Sequence, residues 1–228
     1  MSRKNNAFRI VIVGSGFGGI AMAIALKKAG VDSFTILERS GDIGGVWRDN
    51  LYPGCACDVP SRLYSYSFEQ SYDWSDGFAP QREIHDYLGK CADKYGVRPH
   101  VRFNTEIARA DFDDSTGTWT LLTTEGESIE ADIFISAMGL FNRAKLPPIP
   151  GRDSFQGESF HSSRWNHDYD LSGKSVAVIG TGASAIQFVP EIAKTVRHLH
   201  VFQRTPHYVM PRGARSTQPS ERTWFQRH

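Results

Sequence analysis

The apolar positions of the first forty residues change their period twice. "RIVIV" (9–13) is an unbroken β-branched run, the pattern of a parallel strand buried on both faces. "GSGFGG" interrupts it, and "IAMAIALKKAG", built of small and straight-chain residues, predicts a helix that closes at Gly30. "SFTILE" (33–38) returns to a strand pattern. Residues 174–206 repeat this order: "SVAVI", then "GTGASA", then a helical stretch, then "HLHVF". Between the two copies, residues 99–139 alternate apolar and polar positions and break at "DDSTG" and "EGE". Hairpin strands are expected there, leading into the buried strand of "DIFISAMG". Proline-rich "AKLPPIPG" (144–151) is the expected boundary.

The glycine spacing explains what the repeated unit is for. Gly14, Gly16 and Gly19 form G-x-G-x-x-G at a strand-to-helix turn. The first permits a tight bend, the second lets a pyrophosphate approach the backbone, and the third lets the helix lie against the strand. The phosphates then meet the positive end of the helix. Gly180, Gly182 and Ala185 repeat the pattern, alanine being admissible where the contact is helix on strand. Glu38 lies 24 residues after Gly14, and Arg204 lies 24 residues after Gly180. A carboxylate accepts hydrogen bonds from ribose hydroxyls and repels a 2′-phosphate, whereas a guanidinium takes that phosphate bidentately. The first unit therefore suits the adenosine ribose of FAD or NAD, and the second suits NADPH. A chain holding both can pass a hydride from NADPH to flavin.

Composition narrows the partners. Among 228 residues, 26 Lys and Arg balance 25 Asp and Glu, so no bulk field attracts nucleic acid or an anionic membrane. The N-terminal "MSRKNNAFRIVIVG" holds too short an apolar run for a signal segment or a membrane span, and a cytoplasmic location is expected. Cys55, Cys57 and Cys91 cannot all pair within one chain and are expected as reduced thiols. No cysteine and histidine spacing of a zinc site is present, and no metal is expected; His198 and His200 read as solvated strand residues.

Two further stretches narrow the chemistry. "GGVWRDNLYPGCACD" (44–58) resembles a segment of Baeyer–Villiger monooxygenases through Trp47, Tyr52 with Pro53, and Asp58. "FQGESFHSSRW" (155–165) fits the F-x-G-x-x-x-H-x-x-x-W fingerprint of the same family through Phe155, Gly157, His161 and Trp165. The resemblance, to the N-terminal half of these and related flavin-containing monooxygenases, implies an α/β two-dinucleotide flavoprotein fold. It has two Rossmann-like units and an inserted β-meander, and its second unit is incomplete. Residues 1–150 are the expected FAD-binding domain, lacking a return segment, and 151–228 the linker with a partial NADPH-binding domain. The implied cofactor-binding residues are Gly14, Gly16, Gly19, Glu38, Arg39, Trp47, Tyr64 and Asp58, the last near both the flavin and the nicotinamide. The implied NADPH residues are Gly180, Thr181, Gly182, Ser184, Ala185, Arg204 and Thr205.

The implied reaction uses NADPH and O2 to insert one oxygen atom into a ketone, giving an ester or lactone. Asp58 is the implied catalytic residue, setting protonation and orientation around the reacting oxygen. On its own residues it reads equally well as a turn or capping aspartate. His161 taken alone reads as a hydrogen-bonded structural histidine. An N- or S-oxidising flavin monooxygenase, a flavin-dependent reductase and a non-catalytic nucleotide-binding remnant stay open as alternatives. The arginine that the family brings from its C-terminal half has no counterpart here. The basic stretch before the C-terminus, with Arg212, Arg215, Arg222 and Arg227 around Glu221, reads as the start of a helical part.

Overall fold

β1 (Ile10–Val13) buries all four of its side chains, as its β-branched run requires. In the computed structural model, which describes residues 8–227, β1 pairs in parallel with β2 (Phe34–Leu37) on one side. On its other side it pairs, also in parallel, with a strand that arrives about a hundred residues later in the chain. The N-terminal "MSRKNNA" of the signal-segment reading lies outside the described residues.

α1 (Phe17–Lys28) connects β1 to β2 and begins three residues before the expected start. Gly16 is its extended N-cap, so Gly19 already lies in the first turn of the helix. Gly19, Ile20, Ala23 and Ile24 form its buried face, and Gly30 closes it with φ +78°. α2 (Val46–Asp49) is a single turn, and α3 (Gln81–Lys94) adds a helix to the expected elements. Ile84, Tyr87, Leu88 and Cys91 of α3 are all buried, a stripe at helical spacing.

β3 (Val101–Arg102) extends the parallel sheet beyond β2. β4 (Ile107–Asp113), β5 (Thr118–Thr123) and β6 (Ser128–Ala131) form the expected antiparallel meander, which feeds β7 (Ile133–Ser136), the partner of β1. The parallel sheet runs β3-β2-β1-β7. Leu121 and Ala131 of the meander pack with Val11, Val13 and Leu37, so the inserted hairpins cover one face of the central strands.

β8 (Ser175–Ile179), α4 (Ala183–Ile192) and β9 (His198–Phe202) give a two-stranded parallel sheet with one crossover helix. Tyr52, Val178, Ala185, Phe188 and Ile192 are its buried cluster, with Trp165 packed against them. Ile179 and Phe202 stay more than half exposed at the strand ends. α5 (Pro219–Arg227) is the helix expected in the basic C-terminal stretch, and Arg215 holds Glu221 in its first turn with its carboxyl pulled down to about 2.

The residues separate into two units, Met1–Arg48 with His85–Asn142, and Asp49–Ile84 with Arg143–His228. The expected division at residue 150 treats the chain as two consecutive blocks. The structure groups 49–84 with the later block and ends the earlier one at Asn142. Hydrogen bonds from Gln187 to the Tyr52–Ala56 loop, backbone bonds of Ser75 and Gly77 with Thr217 and Arg215, and the packing of Tyr52 with Phe188 all join 49–84 to the later block.

Candidate functional site: two glycine turns

The two glycine turns repeat each other's backbone. Gly14 and Gly180 both sit at φ +102°, a region that favours glycine. Gly16 and Gly182 are both extended N-caps, φ −79° and −73°, and no side chain caps the helix behind either. Neither helix carries an acid in its first turn. Four backbone amides at each helix start thus lack intrahelical acceptors, and their partial positive charge suits a pyrophosphate. A side chain at Gly182 would meet nothing within 4 Å, and one at Gly16 would meet only Gly45 Cα at 3.7 Å. Both second glycines leave open the space that a phosphate would need.

In the first turn, Glu38 is 4% exposed and points back at its own glycine loop. One carboxylate oxygen accepts from the Ser15 amide (2.9 Å) and the Ser15 hydroxyl (2.6 Å). The other accepts from the Ser40 amide and from Arg48 Nη1, both at 3.0 Å. Arg48 also donates to the Asp42 carbonyl. The acid expected to meet ribose therefore also ties turn, strand end and following loop together. Arg39 donates to the Asn142 carbonyl at 2.9 Å, and Trp47 is half-buried in α2. The loop before Trp47 approaches the turn directly, the Gly44 amide donating to the Ser15 carbonyl at 2.9 Å.

In the second turn, Arg204 and Thr205 are exposed, and Ala185 is buried. Thr181 accepts from Gln203 Nε2 at 3.0 Å, a contact that sequence counting did not anticipate. The equal 24-residue offsets of Glu38 and Arg204 do not mark equal places. The Gly14 amide donates to Leu37 and the Gly180 amide to Phe202, both at 2.9 Å. The residue after each acceptor is Glu38 in one unit and Gln203 in the other.

Asp58 and Tyr64 group with the second unit, whereas Gly14, Gly16, Gly19, Glu38, Arg39 and Trp47 group with the first. Asp58 is exposed at the end of a loop that Gln187 grips. Gln187 Oε1 accepts from the Tyr52 hydroxyl (3.1 Å) and the Ala56 amide (3.2 Å), while its Nε2 donates to the Ala56 carbonyl (2.9 Å). One amide side chain on α4 therefore pairs with the backbone of Ala56 as a neighbouring strand would. The turn at Gly54 fits only because glycine has no side chain: a Cβ there would come within 2.9 Å of the Gln187 carbonyl oxygen. Tyr52 lies beside Ser184 and Cys55, and burial pushes its phenol and the Cys55 thiol up.

The fingerprint residues form a structural corner. The Phe155 ring lies 2.5 Å from where a Cβ on Gly157 would be, its nearest contact. His161 Nδ1 accepts from the Ser163 amide at 3.1 Å and pairs with its hydroxyl at 2.9 Å, capping the short helical turn Ser162–Arg164. Trp165 packs between Phe160 and Phe188, with ring centroids 5.2 Å from each. Cys55, Cys57 and Cys91 are free thiols, the last two buried, and His198 and His200 are exposed on β9. Trp74 is buried.

Two strand–turn–helix–strand units with matching glycine bends, a meander and a tryptophan-anchored linker define a flavoprotein of the two-dinucleotide class. The family model for flavin-binding monooxygenase-like proteins matches residues 7–228, and the chain belongs to that family. It is 50% identical over 214 residues to a Baeyer-Villiger monooxygenase of Streptomyces coelicolor, covering 94% of this chain and 41% of that protein. A Baeyer-Villiger monooxygenase of Pseudomonas aeruginosa is 47% identical over 219 residues, 96% of this chain and 42% of that protein. Among solved structures, OTEMO in complex with FAD and NADP superposes with a TM-score of 0.90 at 37% identity, covering 98% of this chain and 44% of that one. Closed cyclohexanone monooxygenase superposes at 0.89 and 34% identity, covering 97% and 43%. The chain spans about two fifths of the length of the curated relatives it matches.

Proposed function

We propose that the first glycine turn holds FAD, the second holds NADPH, and the protein inserts one atom of O2 into a ketone to give an ester or lactone. The observation that carries this reading is the pair of identically bent turns, Gly14 and Gly180 at φ +102°, whose strands end in different side chains. Relatives named as Baeyer-Villiger monooxygenases, and a solved relative in complex with FAD and NADP, support it.

When bound, FAD supplies a hydride acceptor and a site for O2 reduction. The chain's own residues bind and orient. The α1 amides and Gly16 receive the FAD pyrophosphate, and Glu38 meets its ribose beside Ser15, with Arg39 and Trp47 beside it; Tyr64 is a further proposed cofactor-binding residue. The α4 amides, Thr181, Ser184 and Gly182 receive the NADPH pyrophosphate, with Arg204 and Thr205 toward the 2′-phosphate. Asp58 is the proposed catalytic carboxylate, and Gln187 is a positioning residue because it fixes the loop that presents Asp58. Oxygen balance follows: ketone, O2, NADPH and one proton give ester, NADP+ and water. A reductase passing electrons to a disulfide would need a suitably spaced thiol pair, and Cys55 and Cys57 stand one residue apart, unlike C-x-x-C.

Among the described residues no helix is long and apolar enough to cross a membrane, and the charge balance gives no field for nucleic acid. We place the protein in the cytoplasm. The test is turnover of a cyclic ketone with NADPH under 18O2: a lactone heavier by one 18O is expected, and unchanged ketone with NADPH oxidised only to make hydrogen peroxide overturns the oxygenase reading.

A further inference from the structure

We propose that Gln203, one residue before Arg204, sets the preference of the second turn for a nucleotide bearing a 2′-phosphate. This inference rests on the reading of that turn as the NADPH site.

The sheet register carries it. Val13 stands opposite Leu37 in the first unit, and Ile179 stands opposite Phe202 in the second. The first member of each pair immediately precedes the first glycine of its turn, and that glycine donates its amide to the second member. Stepping one residue on from the acceptor reaches Glu38 in the first unit and Gln203 in the second. One more step reaches Arg39 and Arg204. Both units therefore carry arginine at the same structural place, and an arginine common to both cannot be what distinguishes them. The difference is a carboxylate at 38 against a neutral amide at 203.

The side-chain partners repeat as well. Glu38 binds the hydroxyl of Ser15, the residue after the first glycine, at 2.6 Å. Gln203 binds the hydroxyl of Thr181, again the residue after the first glycine, at 3.0 Å. The polarity is reversed. Ser15 spends its proton on the carboxylate, whereas Thr181 accepts from the amide and keeps its proton for another acceptor. A 2′-phosphate in the second turn would find a hydroxyl donor, a neutral amide and the exposed guanidinium of Arg204. In the first turn it would find a buried carboxylate whose charge repels it. Sequence counting misassigned the pair because the stretch from first glycine to its acceptor is one residue shorter in the second unit, Gly180 to Phe202, than in the first, Gly14 to Leu37.

The experiment measures binding of 2′,5′-ADP and 5′-AMP to the purified protein by calorimetry, with Gln203→Glu, Gln203→Leu and Arg204→Ala as variants. Wild type is expected to prefer 2′,5′-ADP. Gln203→Glu is expected to lose that preference by about tenfold or more through charge repulsion, leaving 5′-AMP within about threefold. Gln203→Leu, neutral but without the amide, is expected to keep most of it. Arg204→Ala is expected to weaken 2′,5′-ADP while still favouring it over 5′-AMP. An undiminished preference in Gln203→Glu, or its complete loss in Gln203→Leu, overturns the assignment while leaving the NADPH site standing. Failure of the wild-type protein to bind either nucleotide overturns the site itself and the assignment with it. Gln203 is exposed, so the variants should melt with wild type, and matched thermal melts confirm that each loss is local.

Discussion

Replacing Gly19 by alanine is expected to disrupt the first turn, lowering stability by about 3 kcal/mol or more and abolishing flavin binding. A Cβ at this position would overlap the Gly14 carbonyl oxygen, and would stand 3.0 Å from the Gly14 carbonyl carbon and 3.5 Å from Ala137 Cβ. The collision is backbone on backbone, so no rotamer change relieves it. Either α1 moves off β1 or the turn opens, and both disturb the amides aimed at the phosphate. For a chain of this size a loss of that order lowers the melting temperature by roughly 6–12 °C. The second turn supplies the control, because it already carries alanine, Ala185, at the matching place. Ala185→Gly is expected to cost no more than about 1 kcal/mol, the difference in helix propensity. Equal melting temperatures for Gly19→Ala and wild type, with flavin retained, would contradict this collision between helix and turn.

Removing the Glu38 carboxylate has the other large effect. Glu38→Ala takes away the acceptor of four donors at once: two backbone amides, the Ser15 hydroxyl and Arg48. Arg48 is only 14% exposed and would keep the Asp42 carbonyl as an acceptor for its charge. Breaking one side of a buried pair typically costs about 3–5 kcal/mol, and about 3 is expected given that remaining acceptor. Chemical denaturation measures it. The double variant Glu38→Ala with Arg48→Met should recover part of the loss, since the uncompensated cation is then gone. Glu38→Gln should fall between, because its NH2 end faces donors where a carboxylate oxygen accepted from them. If Glu38→Ala keeps full stability and loses only flavin, the acid serves the ligand alone and the four bonds carry no structural weight.

The same residue shows where reading the chain succeeds and where it stops. Strand, turn, helix and strand were legible because period and glycine spacing are local. The buried run of β1, the closing Gly30 and the meander before β7 all lie where the pattern places them. The places that were not legible depend on contacts distant in sequence or on single-residue length differences. Arg48 reaches Glu38 across a loop whose path no period records. Gln187 grips Ala56 from 131 residues away, and Ser75 and Gly77 bond to Thr217 and Arg215, contacts joining 49–84 to the later unit that a cut at a proline-rich linker could not capture. The offset from glycine to charged residue, 24 in both copies, is a coincidence of counting; hydrogen-bond register shows the equivalent positions to be 38 and 203. His161 was legible as a structural histidine, and its cap on Ser163 supplies the reason.

The account stands on two separate seats for two different nucleotides. Equilibrium dialysis of the purified protein against FAD and NADP+, alone and together, tests that most directly. One FAD and one NADP+ bound per chain, each undisturbed by an excess of the other, is the expected result. A single occupant per chain, or displacement of either nucleotide by the other, would contradict it.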